Sequence, residues 1–177
     1  VAIGHSAMSG VLTTDASGTV GIGQTTLSAN TEGQGNVGVG FQALAATIDS
    51  DFSTAIGYQA LTSQTGTSGE VGNTAVGYQA GDAITTGVGN TIMGWGVLTA
   101  DDVGNYTTAI GHNAFACQNI ASSATTGNTG LGAGVGVYNV TGTNNTYLGY
   151  KAGFGASGQS NSNNTGVGKN ALFSITT

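Results

Sequence analysis

The sequence predicts an all-β chain: a parallel β-solenoid, or β-roll, of about ten coils of 17–21 residues. Three observations carry that reading. The string Asn73-Thr74-Ala75-Val76-Gly77-Tyr78-Gln79-Ala80 states a phrase that recurs ten times, its first column falling at Val1, Val20, Val37, Thr54, Thr74, Thr91, Thr108, Thr129, Thr146 and Thr165. The steps between copies are 19, 17, 17, 20, 17, 17, 21, 17 and 19 residues, so 17 is the basic unit and additions fall in the spacers. The chain has 33 glycines and no proline, as a continuous hydrogen-bonded stack requires, since proline removes a ladder donor. Residues 1–177 read as a single repeat array. The array opens within a repeat at Val1 and stops where a spacer is due, so the reading expects a piece of a longer fibrous protein.

Within the phrase, column one is Val or Thr, column two is small in eight copies, and column three is always apolar. That alternation has the period of two of a strand. Columns one and three, the bulkier pair, are expected to face the interior. Column two is expected on a second face that backbone or another chain approaches closely. Column four is glycine throughout: Gly4, Gly23, Gly40, Gly57, Gly77, Gly94, Gly111, Gly132, Gly149 and Gly168. An unbroken glycine marks a bend needing positive φ, or a place with no room for a side chain. A second short strand is expected through columns seven and eight. So much glycine, Thr, Val and Asn disfavours helix.

Spacers carry turn signals such as Thr86-Gly87-Val88-Gly89-Asn90 and Thr141-Gly142-Thr143-Asn144-Asn145. Asn36, Asn73, Asn90, Asn128, Asn145 and Asn164 each precede a copy, and their amides can bond along the axis as a ladder. Long spacers fall before Val20, Thr74 and Thr129, every third rung, with only the last spacer breaking the rule, and copies are related at 54–55 residues. Either each unit is a complete coil with an enlarged loop at every third, or three units make one turn about a threefold axis. The first is favoured, because 17 residues suffice for two short strands and two turns.

Composition narrows the function. Charged residues make up 6% and the net charge is −6, with Lys151 and Lys169 the only bases, so phosphate finds no electrostatic grip and nucleic acid is not expected as a partner. No apolar run reaches the length of a membrane span, and no membrane insertion is expected in this segment. Catalysis needs a nucleophile, a base and an orienting group in one pocket. Two histidines, one cysteine and no GxSxG or HExxH offer none, so no enzyme, no catalytic residue and no cofactor are expected. His5 and His112 share column five but lie six rungs apart, which suits a structural surface role better than a metal pair. Asp82, Asp101 and Asp102 could gather a cation in stacked loops, but a solvated loop is the favoured reading and no metal site is assigned. The acidic residues Asp15, Glu32, Asp49, Asp51, Glu70, Asp82, Asp101 and Asp102 fall in spacers, expected along one rim. Gly153–Gly158 matches GxGxxG without a helix to follow it and is discarded. Cys117 reads as a buried or idle thiol.

The candidate binding edge is the aromatic column five: Phe41, Tyr58, Tyr78, Trp95 and Tyr150. Rings in a row suit contact with sugars or flat surfaces; the alternative is that they cap the interior at a corner. Asn105, Asn139, Asn144 and Asn163 open glycosylation sequons.

Val1-Ala2-Ile3-Gly4, Thr54-Ala55-Ile56-Gly57 and Thr108-Ala109-Ile110-Gly111 resemble the SVAIG-type repeats in the heads of trimeric autotransporter adhesins of the YadA kind. The longer Asn73–Ala80 form is similar to repeats in phage tail fibres and large bacterial surface proteins. The resemblance implies a left-handed parallel β-roll, three chains side by side, exposed at a cell surface or virion as a binding or spacer element. The expected role is therefore an extracellular structural fibre: a stiff shaft or head, self-associating as a homotrimer, presenting an edge to a glycan or host-surface ligand. Two further readings stand beside it. One is a flat-faced ice- or polysaccharide-binding module, which would need the column-one threonines to face out. The other is a self-assembling filament subunit.

Overall fold

A computed structural model describes residues 1–10, 16–66, 69–158 and 160–176. The described residues contain no helix, and parallel strands stack as a β-solenoid of about nine turns. Ten strands make one sheet: β1 (Ala2–Ile3), β2 (Val20–Ile22), β3 (Val37–Val39), β5 (Thr54–Ile56), β7 (Thr74–Val76), β8 (Thr91–Met93), β10 (Thr108–Ile110), β12 (Thr129–Leu131), β13 (Thr146–Leu148) and β14 (Thr165–Val167). Four two-residue strands in the spacers pair separately, β4 (Ser50–Asp51) with β6 (Gly69–Glu70), and β9 (Gly104–Asn105) with β11 (Ala124–Thr125).

Every copy pairs with the next in register, column on column: Thr74 with Thr91, Ala75 with Ile92, Val76 with Met93. One 17–21-residue unit therefore closes one coil, and the alternative of three units per turn is overturned. Parallel neighbours sit about 4.8 Å apart, so nine steps make a rod of about 43 Å.

The alternation along each strand runs opposite to expectation. Column two faces inward: Ala55, Ala75, Ile92 and Ala109 are fully buried. Columns one and three face outward. The reason is room. Column seven (Ala43, Ala60, Val97, Val135) and column eight (Leu27, Leu44, Leu61, Leu98, Phe115) already fill the coil, leaving space for little more than a methyl under column two. The two bulky exceptions at column two prove the arithmetic of volume. Ile92 stands beside Gly81, where column eight has lost its leucine, and a Cβ on Gly81 would lie 2.6 Å from Ile92 Cδ1. Tyr147 likewise occupies the space beside Gly153, and Phe115 reaches over Gly130 and Gly136. Bulk missing at one position is supplied by its neighbour, on the same rung for Tyr147 and Gly153 and from the adjacent rung for Ile92 over Gly81 and Phe115 over Gly136, as close packing demands.

The expected second strand through columns seven and eight is absent. Columns six and eight take left-handed φ even where they are not glycine, as at Gln42 (55°), Leu44 (53°), Gln59 (55°) and Leu61 (50°). The segment still bonds from rung to rung: Gln42 N–H donates to the Gln24 carbonyl at 3.0 Å, and Leu44 N–H to that of Ala60 at 3.1 Å. Inter-rung bonding holds these residues in a conformation costing about 1–2 kcal/mol each in isolation.

Column four behaves as the sequence foretold. Gly94 has φ of 133°, and a Cβ there would sit 2.6 Å from the Gly111 carbonyl oxygen of the next rung. The same approach repeats along the file.

The other half of the interior is polar. Asn36, Asn73, Asn90, Asn128 and Asn145 are buried just before column one. Their bonds differ from the expected amide-to-amide ladder, which occurs only from Asn145 to Asn128 (3.1 Å) and from Asn164 to Asn145 (3.2 Å). Instead each amide stitches backbone to backbone. Asn90 Oδ1 accepts the Thr107 N–H at 2.8 Å, while its Nδ2 donates to the Gly104 carbonyl at 2.9 Å. Gln64 and Gln118 complete the network, Gln118 Nε2 donating to Thr107 Oγ1 at 3.0 Å and Oε1 accepting from Asn128 at 2.8 Å.

Two sets of variants test this packing. Ile92→Ala should cost about 2–5 kcal/mol in denaturant unfolding, Gly81→Leu alone should also destabilise, and the double variant should recover most of both losses. Additive losses would contradict the exchange of volume. Gly94→Ala should cost more than about 2 kcal/mol. Gly168→Ala, with a comparable φ of 120° but nothing within 4 Å of its Cβ, should cost distinctly less.

Candidate functional site

The outward face of the ten-stranded sheet is regular because every rung adds one Thr or Val and one apolar side chain at the same two places. Column three runs Ile3, Ile22, Val39, Ile56, Val76, Met93, Ile110, Leu131, Leu148, Val167. Ile22, Ile56, Met93, Leu148 and Leu131 are 37–48% exposed despite strand neighbours on both sides. Column one turns out as well: Thr74, Thr129, Thr146 and Thr165 are exposed, and Thr54, Thr91 and Thr108 half-buried. The expectation that column one lies inside is therefore corrected. Two residues of strand separate the files by about 6.6 Å, and successive members lie about 4.8 Å apart.

Column five borders this face. The bend at Gly4-type positions aims each ring outward, and the rungs bring successive rings into a stack. Phe41 and Tyr58 are 5.1 Å apart between centroids, Tyr58 and Tyr78 5.3 Å, and Tyr78 and Trp95 5.9 Å. Trp95 then stacks on His112 at 4.9 Å, all four pairs lying within 16° of parallel. The rings are partly exposed and line an outer edge; they do not cap the interior. His112 is thus the fifth ring of the file, a member the aromatic reading omitted. Tyr150, which that reading included, stands apart, because Ala133 occupies the rung between. Beside the rings a true amide ladder forms: Gln59 Nε2 donates to Gln42 Oε1 at 2.8 Å, and Gln79 Nε2 to Gln59 Oε1 at 3.0 Å.

The remaining sequence candidates separate. His5 and His112 stay six rungs apart. Asp101 does not lie in a solvated loop: it is fully buried, with Gln118 Nε2 donating to Oδ2 at 2.6 Å and the Gly104 N–H to Oδ1 at 3.1 Å. Asp102 is exposed, so the two carboxylates diverge. Nor do the acidic residues share one rim. Asp51 and Glu70 are register partners on β4 and β6, Asp101 is interior, and Asp15 lies outside the described residues. Asn139 is also interior, its Nδ2 donating to the Gly142 carbonyl and its Oδ1 accepting the Asn161 N–H, so the folded chain cannot offer it to a glycosyltransferase. Asn144 and Asn163 are exposed, and Asn105 is half-buried. Cys117 is partly buried, and burial raises its thiol pKa, which disfavours the thiolate. Gly153–Gly158 continues the coil, with no helix behind it.

No protein-family model, curated protein or solved structure matches the chain. Among the described residues, no helix is long and apolar enough to cross a membrane.

Asp82 offers a pH test. Desolvation raises its pKa above the ordinary 3.8, against the lowering effect of its backbone hydrogen bonds. The folded chain therefore holds a proton that the unfolded chain has released, and stability falls as pH rises from about 3.8 through the raised value. Asp82→Asn should be more stable than the parent above that window, with the difference shrinking below pH 3.8 in thermal unfolding across pH.

Proposed function

We propose that this chain is a structural β-solenoid, forming the stiff shaft or head of an extracellular fibre at a cell or virion surface. The observation that carries the reading is the outward column-three file, apolar on ten successive rungs of one sheet. Isolated soluble chains rarely leave so long an apolar stripe uncovered. A stripe of regular pitch is complementary to the same stripe on a parallel copy, and three such faces close about a threefold axis. Self-association as a homotrimer would cover columns one and three and leave the spacer edges in solvent. Stiffness follows from the rung-to-rung ladders, which tie each coil to its neighbours on every side. The aromatic file at the border of the face is the edge suited to a glycan or host-surface ligand.

A second reading gains from the same geometry. Seven consecutive rungs, from Thr54 to Thr165, turn a column-one threonine outward at regular spacing. Such an array suits an ordered surface, ice or a crystalline polysaccharide, and requires no partner chain.

Light scattering on a gel-filtered sample separates the two. The fibre reading expects a mass near three times 17.2 kDa, and the double variant Thr74→Tyr, Thr91→Tyr should lower that mass while far-UV circular dichroism stays unchanged. A mass of 17.2 kDa at all concentrations, with binding to ice or polysaccharide lost in the same variant, would replace the fibre by the surface-binding module. Open-ended assemblies would favour a filament.

A further inference from the structure

The column-five file of rings is interrupted at Gln24, which carries a long side chain of its own, and at Ala133, where the interruption is a cavity. His112 and Tyr150 occupy column five on rungs seven and nine, and rung eight supplies only Ala133. The backbone runs through without a break: Gly134 N–H donates to the His112 carbonyl at 2.8 Å, and Lys151 N–H to that of Ala133 at 2.9 Å. What is missing is a side chain. Two rung spacings of about 4.8 Å put the His112 and Tyr150 rings about 10 Å apart. That leaves room for one flat ring at the 4.9–5.9 Å separations the file keeps elsewhere.

The gap is walled as well as spaced. It belongs to a cavity of about 360 Å³ whose floor is Ala133 and Gly134 and whose far wall is Tyr138 and Phe154. Those two rings meet edge to face at 5.2 Å, and Phe154 stacks on Phe173 at 5.0 Å, so the wall is itself aromatic and braced. Across the cavity lies Lys151, one of the chain's two basic residues, its Nζ 5.4 Å from the Tyr150 ring centroid and 5.2 Å from that of Phe154. No carboxylate lines the cavity, although the chain as a whole is acidic. An ammonium held among ring faces and away from acidic groups is set to meet an incoming anion.

We infer that this gap is a binding site for one planar aromatic ring bearing an acidic group, which slides between His112 and Tyr150 and places its anion against Lys151. The bound ring would restore the continuity of the stack, occupying the position that Phe41, Tyr58, Tyr78 and Trp95 hold on their rungs. An indole already fits at Trp95, so a two-ring ligand is within the slot's reach. Planarity is the selective feature, because the rungs above and below fix the opening; a puckered ring is too thick for stacking on both sides. The site lies within one chain and does not rest on the fibre reading.

The test is titration of the full chain with 2-naphthoate, followed by ligand fluorescence and by the His112 ring resonances. Saturable binding that shifts those resonances is expected, with cyclohexanecarboxylate and methyl β-glucoside binding at least about tenfold more weakly. Ala133→Tyr should complete the stack from the chain's own residues and abolish binding while the circular dichroism of the parent is kept. Lys151→Met should weaken 2-naphthoate about tenfold but leave 2-naphthol unchanged. Should Ala133→Tyr perturb the fold, Ala133→Leu provides a second way to block the slot. Absence of binding, binding that survives a folded blocked variant, or preference for the glucoside would each overturn the inference.

Discussion

The parallel hydrogen-bonded ladder between successive coils is the constraint from which the rest follows. Once one unit equals one coil and coils stack at about 4.8 Å, every column of the repeat becomes a straight file with one side chain per rung. A file of glycines lets carbonyls pass within reach of Cα, as from Gly94 to Gly111. A file of asparagines binds the backbone of one coil to the next, as Asn90 does between Gly104 and Thr107. A file of rings becomes a stack, and one absent ring becomes a slot. Features that would need separate explanations in a globular domain share one geometric cause here.

The interior illustrates how a coil this small stays solid. One half is apolar and keeps a constant volume by exchange between columns two and eight, as Ile92 with Gly81 shows. The other half is polar and nearly every group is paired, down to the buried Asp101 held by Gln118 and backbone N–H groups. The polar half does what a large hydrophobic core does elsewhere: each amide has partners only in the correct register, so a slipped coil would leave several buried groups unsatisfied at about 1–3 kcal/mol apiece. Register and stiffness therefore have the same source. A rod so constructed puts its chemical variety on its outer files.

Much of this was legible in the sequence, and the illegible parts have definite physical reasons. The 17-residue unit, the glycine of column four and the aromatic column could be read directly, because each is a strict positional repeat. The direction of the strand could not. Columns one and three are β-branched and apolar, which resembles a core face, yet β-branched residues also favour strands through fit to a pleated surface. Only the bulk of Leu44, Leu61 and Phe115 on the opposite pass shows that Ala55, Ala75 and Ala109 must be the inward set. Left-handed φ at Gln59 or Leu61 was likewise hidden, since nothing in a glutamine or leucine announces it. His112 escaped the aromatic reading because histidine suggested metal chemistry before stacking, and the slot escaped because it is made by an alanine.

Two distant column-three positions test the central claim most directly. Spin labels at cysteines replacing Ile22 and Leu148, in a Cys117→Ser background diluted with unlabelled chain, lie on rungs two and nine of the stack. One coil per unit predicts seven rung spacings between them, about 34 Å before allowance for the label arms. A 54-residue turn would place them on different faces with an axial rise of only about 11 Å, little more than two spacings, and a distance well short of 34 Å would dismantle the straight files of side chains.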